Sequence, residues 1–293
     1  MYLLAVIFPN CNIANSRVLT AIEAEKTDIS PAMTDAIQRG DLSLCQRLVE
    51  RGFSIDDICE CGCTPLLCAC ASQRFDVAMY LLSIDASVDG TSCKKKPVTW
   101  GFSAIHYAAS FGNEECLEIL LEKGALALDN PHSVLPIPLA AYNGNVKIVQ
   151  ILLAHSDDPK KLLDAPACLT PKPIADEIAS EARMILPAKG ISGWNYGKTI
   201  KSGRPLHFAA YMNNIEVIAL LLKAGADLEA WDDNGMTAIH HTIDNNFDVD
   251  NFEILAAASA NLNTRDHQGL TPFIRAARVG RKFFLTKMKS YSS

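Results

Sequence analysis

The strongest constraint in this 293-residue chain is a small residue that opens a doublet again and again at nearly one spacing. The doublets start at Ala36, Ala69, Ala108, Ala140, Ala209, Thr242 and Ala276, so the intervals are 33, 39, 32, 69, 33 and 34 residues. Four of the six lie near 33, the 39 carries a short insert around 92–100, and the 69 amounts to two periods. A fixed period of this size means stacked supersecondary units, because no single unit buries its apolar face alone.

The surroundings of each doublet repeat as well. Thr64-Pro65-Leu66-Leu67, Ser103-Ala104-Ile105-His106, Arg204-Pro205-Leu206-His207, Thr237-Ala238-Ile239-His240 and Thr271-Pro272-Phe273-Ile274 are versions of one tetrapeptide. Leu120-Leu121 with Gly124-Ala125, and Leu221-Leu222 with Gly225-Ala226, follow their tetrapeptides at matching offsets. Threonine at the head can cap a helix, and proline next to it fits the first turn, where its missing N–H costs nothing. Gly112 and Gly144 are placed to end first helices in the left-handed conformation, and Gly52, Gly124 and Gly225 to end second helices. Val217, Leu220, Leu221 and Leu222, like Ile119, Leu120 and Leu121, give the second helix a buried stripe.

These motifs strongly resemble the ankyrin repeat, with its 33-residue period and Thr-Pro-Leu-His-x-Ala signature. The resemblance runs over about residues 32 to 280 apart from one interruption. It implies an all-α solenoid of stacked helix-turn-helix units with β-hairpin-like fingers. It also implies that the fourth-position histidine, matched by His106, His207 and His240, bonds back toward the cap residue and the neighbouring repeat. Departures from the pattern carry their own expectations. Leu135-Pro136-Ile137-Pro138 lacks both cap and histidine, which predicts an irregular helix start. The polar turn at 245–250 is lengthened, and the final unit has room only for a shortened second helix.

Along the chain, residues 1–31 read as an N-terminal leader and capping helix, the helix at 16–27. Repeats 1–4 occupy 32–155, and repeats 5–7 occupy 203–293 with the last one short. Between them, 156–202 is an insert or a degenerate repeat, and its helix-like run at 174–185 favours a decayed repeat that keeps the stack in register. The stack is expected to share one continuous core and behave as one domain.

Charge and cysteine usage narrow the function. The net charge is −6 with a pI near 5.6, and Lys and Arg are scattered except at 94–96, so no basic face for nucleic acid is expected. The apolar run at 2–8 is far short of the roughly 20 residues that span a bilayer and lacks the basic flank of a secretory signal. No membrane association is expected. The ten cysteines mostly hold core-type positions, which fits reduced thiols in a cytoplasmic or nuclear setting. Cys59, Cys61, Cys63, Cys68 and Cys70 are spaced C-x-C-x-C and C-x-C, whereas structural zinc prefers pairs separated by two to four residues. Small core thiols explain them, so no metal is expected. No catalytic or cofactor motif is present, which predicts a non-enzyme without cofactors.

What remains is binding. The resemblance implies a concave surface whose contact positions flank the turn glycine and precede the doublet. Carried over residue by residue, the partner-binding set is Phe102, Tyr107, Phe111, Tyr142, Phe208, Tyr211, Met212, Trp231, Met236 and His241. Cys68, Leu139 and Arg275 hold the other pre-doublet positions, and Trp231 and Arg265 lie on hairpins. Aromatics, Met and Arg are the types that anchor interfaces. Asp227, Glu229, Asp232 and Asp233 would suit a basic segment of the partner. The reading is a non-enzymatic adaptor, scaffold or regulatory subunit, monomeric on its own, that grips a protein or peptide in the concave groove. The alternative is a reader of a modified peptide or small ligand through an aromatic pocket that includes Tyr107 and Trp231. On the first reading, replacing Tyr107 and Phe208 together by alanine leaves folding intact and abolishes partner capture.

Overall fold

The computed structural model describes residues 29–58, 63–89, 102–125, 135–166, 200, 202–244 and 249–291. These form fifteen helices and no strand. They fall into two compact units. Residues 1–28 with the expected helix at 16–27, the insert at 92–100 and the polar residues 245–248 lie outside the described residues.

The first unit holds α1 (Ile29–Arg39), α2 (Leu42–Glu50), α3 (Pro65–Ala71), α4 (Phe75–Ser83), α5 (Ala104–Phe111) and α6 (Glu114–Glu122). Each pair is a helical hairpin, and first helices pack on first helices, second on second. The doublets make this possible. Ala36, Ala69, Cys70, Ala108 and Ala109 are wholly buried, so adjacent backbones approach closely. Thr64 Oγ1 accepts a hydrogen bond from Leu67 N at 3.3 Å, with Pro65 in the first turn of α3. Ser103 and His106 form a reciprocal capping box at the start of α5.

The second unit holds α7 (Pro136–Asn143), α8 (Val146–Ala154), α9 (Pro159–Asp164), α10 (Pro205–Tyr211), α11 (Ile215–Lys223), α12 (Ala238–Asp244), α13 (Asp250–Ala257), α14 (Pro272–Val279) and α15 (Lys282–Ser290). Here α7 packs directly on α10, and α8 on α11. No decayed repeat stands between them, contrary to the expectation for 156–202. The short α9 instead buries Leu162 and Leu163 beside α8 and α10, and Arg204 Nε ties its end by bonding Asp164 O at 2.9 Å. At the far end of the excursion Ile200 is buried, and its Cγ2 lies where a Cβ on Gly203 would stand, 2.2 Å away. Residues 167–199, with the run at 174–185, lie outside the described residues.

Two other expectations are corrected. α7 starts without irregularity at Pro136 and has the same eight residues as α5, because proline at the first position fixes the helical φ in place of a side-chain cap. The second helix of the last unit is not shortened. α15 has nine residues, as α8 and α11 do, since Phe284 and Met288, one turn apart, are buried and Phe284 meets Phe252 edge-on at 5.9 Å.

One device recurs between neighbouring repeats. At four of the second helices a side chain at the start reaches back to carbonyls that end a preceding first helix. Arg74 Nε donates to Gln38 O, Asn214 Nδ2 to Ala141 O and Tyr142 O, Asn251 Nδ2 to Ala210 O, and Arg281 Nε to Ile243 O.

Candidate functional site

The signature histidines hold the stack together. His207 Nδ1 accepts from Arg204 N at 2.9 Å, and His240 Nδ1 accepts from Thr237 N at 3.2 Å. With Nδ1 used as acceptor, the proton sits on Nε2. That atom donates onward, from His207 to Ala230 O at 2.9 Å and from His240 to Leu270 O at 3.3 Å, both on the following finger. Burial pulls the pKa of each down to about 4, with the nearby His241 adding to the effect on both. In the first unit His106 Nδ1 accepts from Ser103 N at 3.1 Å.

The fingers of the second unit are built on aspartate. Asp232 Oδ1 accepts from Asn234 N and Met236 N, and Asp266 Oδ1 accepts from Gln268 N and Leu270 N. The backbone closes each turn, Asp232 N to Met236 O and Asp266 N to Leu270 O, both at 3.0 Å, and His267 N links the fingers through Asn234 O. The second carboxylate oxygen turns inward. Asp232 Oδ2 meets His241 Nε2 at 3.1 Å, and Asp266 Oδ2 meets Arg275 Nη1 at 2.7 Å. Arg275 also grips Asp244 with two parallel bonds of 2.8 and 2.9 Å. Burial pushes the Asp232 carboxyl up, but its bonds to His241, Met236 N and Asn234 N outweigh that and hold it near 2.

These contacts relocate several expected partner-binding residues. Phe102, Tyr107, Tyr142, Phe208, Met236 and His241 are all buried. Tyr107 packs against Phe102 edge-on at 5.7 Å and Phe111 at 6.3 Å, so it lies within an aromatic cluster rather than walling an open pocket. Desolvation raises its pKa. His241 meets His207 and Tyr211 edge-on at 5.5 and 6.2 Å. Asp232 and Arg275, expected among the surface groups, are internal. The pre-doublet side chain points toward its own finger, where the Asp-x-x-Gly turns Asp232–Gly235 and Asp266–Gly269 supply a partner nine residues upstream. That spacing was visible in the sequence and is the signal that identifies these aspartates.

Phe111, Tyr211 and Met212 are half-buried, and Trp231 is 57 % exposed at the finger beside exposed Asp233. Arg265, one repeat later, is also exposed, with Nη1 on Gly269 O. Glu229 is occupied by Asn261 N and Thr264 Oγ1.

The cysteines are core residues where they are described. Cys45, Cys63, Cys68, Cys70 and Cys116 are buried thiols. The Cys45 thiol is pushed up to about 12, mainly by burial, and a hydrogen bond with Cys116 together with burial keeps Cys70 protonated. Cys59 and Cys61 lie outside the described residues, which hold no group of three or more His, Cys, Asp or Glu able to bind a metal ion. No helix among them is long and apolar enough to cross a membrane.

The family model for ankyrin repeats in three copies matches residues 88–162 and 206–288, and a second ankyrin-repeat model matches 33–82. The chain belongs to the ankyrin-repeat family. Among solved structures, the ankyrin repeat domain of human ASB11 covers 83 % of this chain and 90 % of its own length, with TM-score 0.62 and 22 % identity. The ankyrin repeat domain of Bcl-3 covers 83 % and 92 % with TM-score 0.57 and 22 % identity, and both likenesses establish the fold. Among curated relatives, the putative palmitoyltransferase ZDHHC13 of Danio rerio is 27 % identical over 210 residues, 70 % of this chain and 31 % of the relative. The Danio rerio ankyrin repeat and SAM domain-containing protein 6 is 31 % identical over 129 residues, 43 % of this chain and 17 % of the relative. Human ankyrin repeat and SOCS box protein 3 is 28 % identical over 144 residues, 47 % and 27 %. This ankyrin-repeat chain thus spans under a third of each of these relatives. Ankyrin repeats are in general protein–protein interaction modules.

Proposed function

We propose that this chain is a non-enzymatic adaptor, scaffold or regulatory subunit that captures a partner protein through the finger-and-first-helix surface of its repeats. The observation that carries the reading is Trp231, an indole left 57 % exposed on a finger whose Asp232 carboxylate is turned inward. Tryptophan is the side chain most enriched at binding hot spots, and nothing in the finger requires it for folding. Half-buried Tyr211 and Met212 at the end of α10 extend the surface, and exposed Asp227 and Asp233 give it a negative edge suited to a basic segment. The buried, protonated thiols favour a reducing compartment, cytoplasmic or nuclear.

The test is affinity purification of wild-type chain and Trp231→Ala from cells that express it, with partners identified by mass spectrometry. A partner present with wild type and lost with the variant, at unchanged thermal unfolding, supports the surface. Full recovery of every partner by the folded variant would falsify it.

A further inference from the structure

Two consecutive fingers of the second unit repeat one turn with opposite charge on the outside. Asp232 and Asp266 are buried, 5 % exposed each, and each closes its own turn. The residues on either side of them stay outside. On the first finger these are Trp231, 57 % exposed, and Asp233, and on the second they are Arg265 and His267, both exposed. Trp231 and Arg265 therefore hold the same register position, each directly ahead of the buried aspartate. The fingers are joined. His267 N donates to Asn234 O at 2.9 Å, and the His267 ring lies over Gly235, where a Cβ would stand 2.5 Å from its Cδ2. Arg265 is steadied as well, with Nη1 donating to Gly269 O at 2.9 Å.

The charge on the first finger is one-sided. Between Lys223 and Arg265 the sequence has eight acidic residues and no lysine or arginine. Four of them are committed within the molecule: Asp232 to His241, Asp244 to Arg275, Glu253 to Lys287, and Glu229 to Asn261 N and Thr264 Oγ1. Asp227 and Asp233 stay exposed on the finger that carries the indole.

An indole beside a carboxylate suits a cation that can also stack. A guanidinium does both, laying its plane on the ring and its N–H groups on the carboxylate. An ammonium has no such plane, and the single ring on this finger cannot enclose a methylated lysine. An anionic membrane surface or a nucleic acid would meet Asp227 and Asp233 as like charges. The next finger asks for the opposite charge at Arg265. Packed helices lie about 8–10 Å apart, and an extended chain advances about 3.3 Å per residue, so the two charges of a ligand spanning both fingers stand about three residues apart.

We infer that the occupant of these fingers is an extended segment of a partner protein, with an arginine stacked on Trp231 against Asp233 and, about three residues away, an aspartate or glutamate on Arg265. The inference rests on the finger surface proposed above and specifies what that surface takes.

The experiment selects a displayed library of random twelve-residue peptides on the full chain, after depletion on Trp231→Ala. The surviving peptides carry an arginine with an acidic residue about three positions to one side. Measured by fluorescence anisotropy, replacing that arginine by alanine weakens binding at least tenfold, and by lysine at least threefold. Asp233→Lys in the chain, folded by circular dichroism, also weakens binding at least tenfold. Arg265→Glu weakens it at least fivefold, and exchanging the peptide's acidic residue for lysine restores it. Survivors without an arginine, or with one that is indifferent to Asp233→Lys, overturn the inference and leave the finger surface standing. So do survivors whose acidic residue is indifferent to Arg265→Glu. Absence of any clone that separates wild type from Trp231→Ala overturns it too, while affinity purification with Trp231→Ala judges the finger surface independently.

Discussion

His241 Nε2 lies 3.1 Å from Asp232 Oδ2, and the same contact is rebuilt one repeat later by Arg275 and Asp266 at 2.7 Å. In both, one carboxylate oxygen closes the finger turn while the other holds the residue ahead of the doublet. Finger and first helix therefore fold as a single piece, which leaves the rest of the finger, Trp231 included, free to serve as surface.

Arg275 is the most heavily committed side chain in this arrangement. Replacing it by leucine leaves Asp244 and Asp266 buried without their cation, which costs about 3–5 kcal/mol. The expected result is an early unfolding step and faster hydrogen exchange in α14 and α15. Arg275→Lys keeps the charge but not the parallel bonds and should fall between the two. Wild-type stability in Arg275→Leu would show that the network contributes nothing net.

Acid should weaken the second unit in a defined window. His207 and His240 have folded pKa values near 4, below the ordinary 6.5, so the neutral forms are favoured by folding. Their contribution is complete above pH 6.5 and is lost as pH falls toward 4, about 2 kcal/mol for each histidine at pH 5. Asp232, held near 2, loses its share only below about pH 4. Urea unfolding of wild type and His207→Asn at pH 7 and pH 5 checks this. The pH-dependent loss should shrink by about half in the variant, and an equal loss in both would exclude His207 as its source.

Phe208 and Trp231 should separate stability from binding. Phe208→Ala empties a core position that is 1 % exposed and is expected to cost about 3–5 kcal/mol. Trp231→Ala should change stability by no more than about 0.5 kcal/mol. The earlier expectation that Tyr107 and Phe208 can both be replaced without loss of folding does not hold with both side chains buried. Thermal melts of the single variants decide the point.

Gly144 joins two repeats through backbone conformation. Its φ is +76°, and a Cβ there would stand 2.8 Å from Asn214 Oδ1, the side chain that caps Ala141 and Tyr142. Gly144→Ala is expected to cost more than about 1 kcal/mol. A melting temperature equal to wild type would show that Asn214 is able to move aside.

Much of the fold was legible because ankyrin positions repeat their chemistry. The Thr64 and Thr271 caps, the αL glycines and the buried doublets could all be placed from the tetrapeptide and the period. The pre-doublet side chains were not legible as core, because Phe208, His241 and Arg275 are large and varied. Only the finger that folds over them shows that they face inward. The α7–α10 contact was hidden for another reason. A 69-residue interval looks like two periods whether or not the chain between them enters the stack.

That contact bears on how fast the unit can assemble. Elsewhere in the unit neighbouring first helices are about 33 residues apart, but the doublets Ala140 and Ala209 that meet across α7 and α10 are 69 apart. Contacts of greater sequence separation carry a larger loop-closure cost before they form, so this seam is expected to slow folding of the unit. Its equilibrium cost is small. Roughly doubling a flexible loop adds only about 0.6 kcal/mol of closure entropy, less than burying one methylene returns. A repeat array can therefore carry an excursion of this size at a kinetic cost while its native stability hardly registers the interruption.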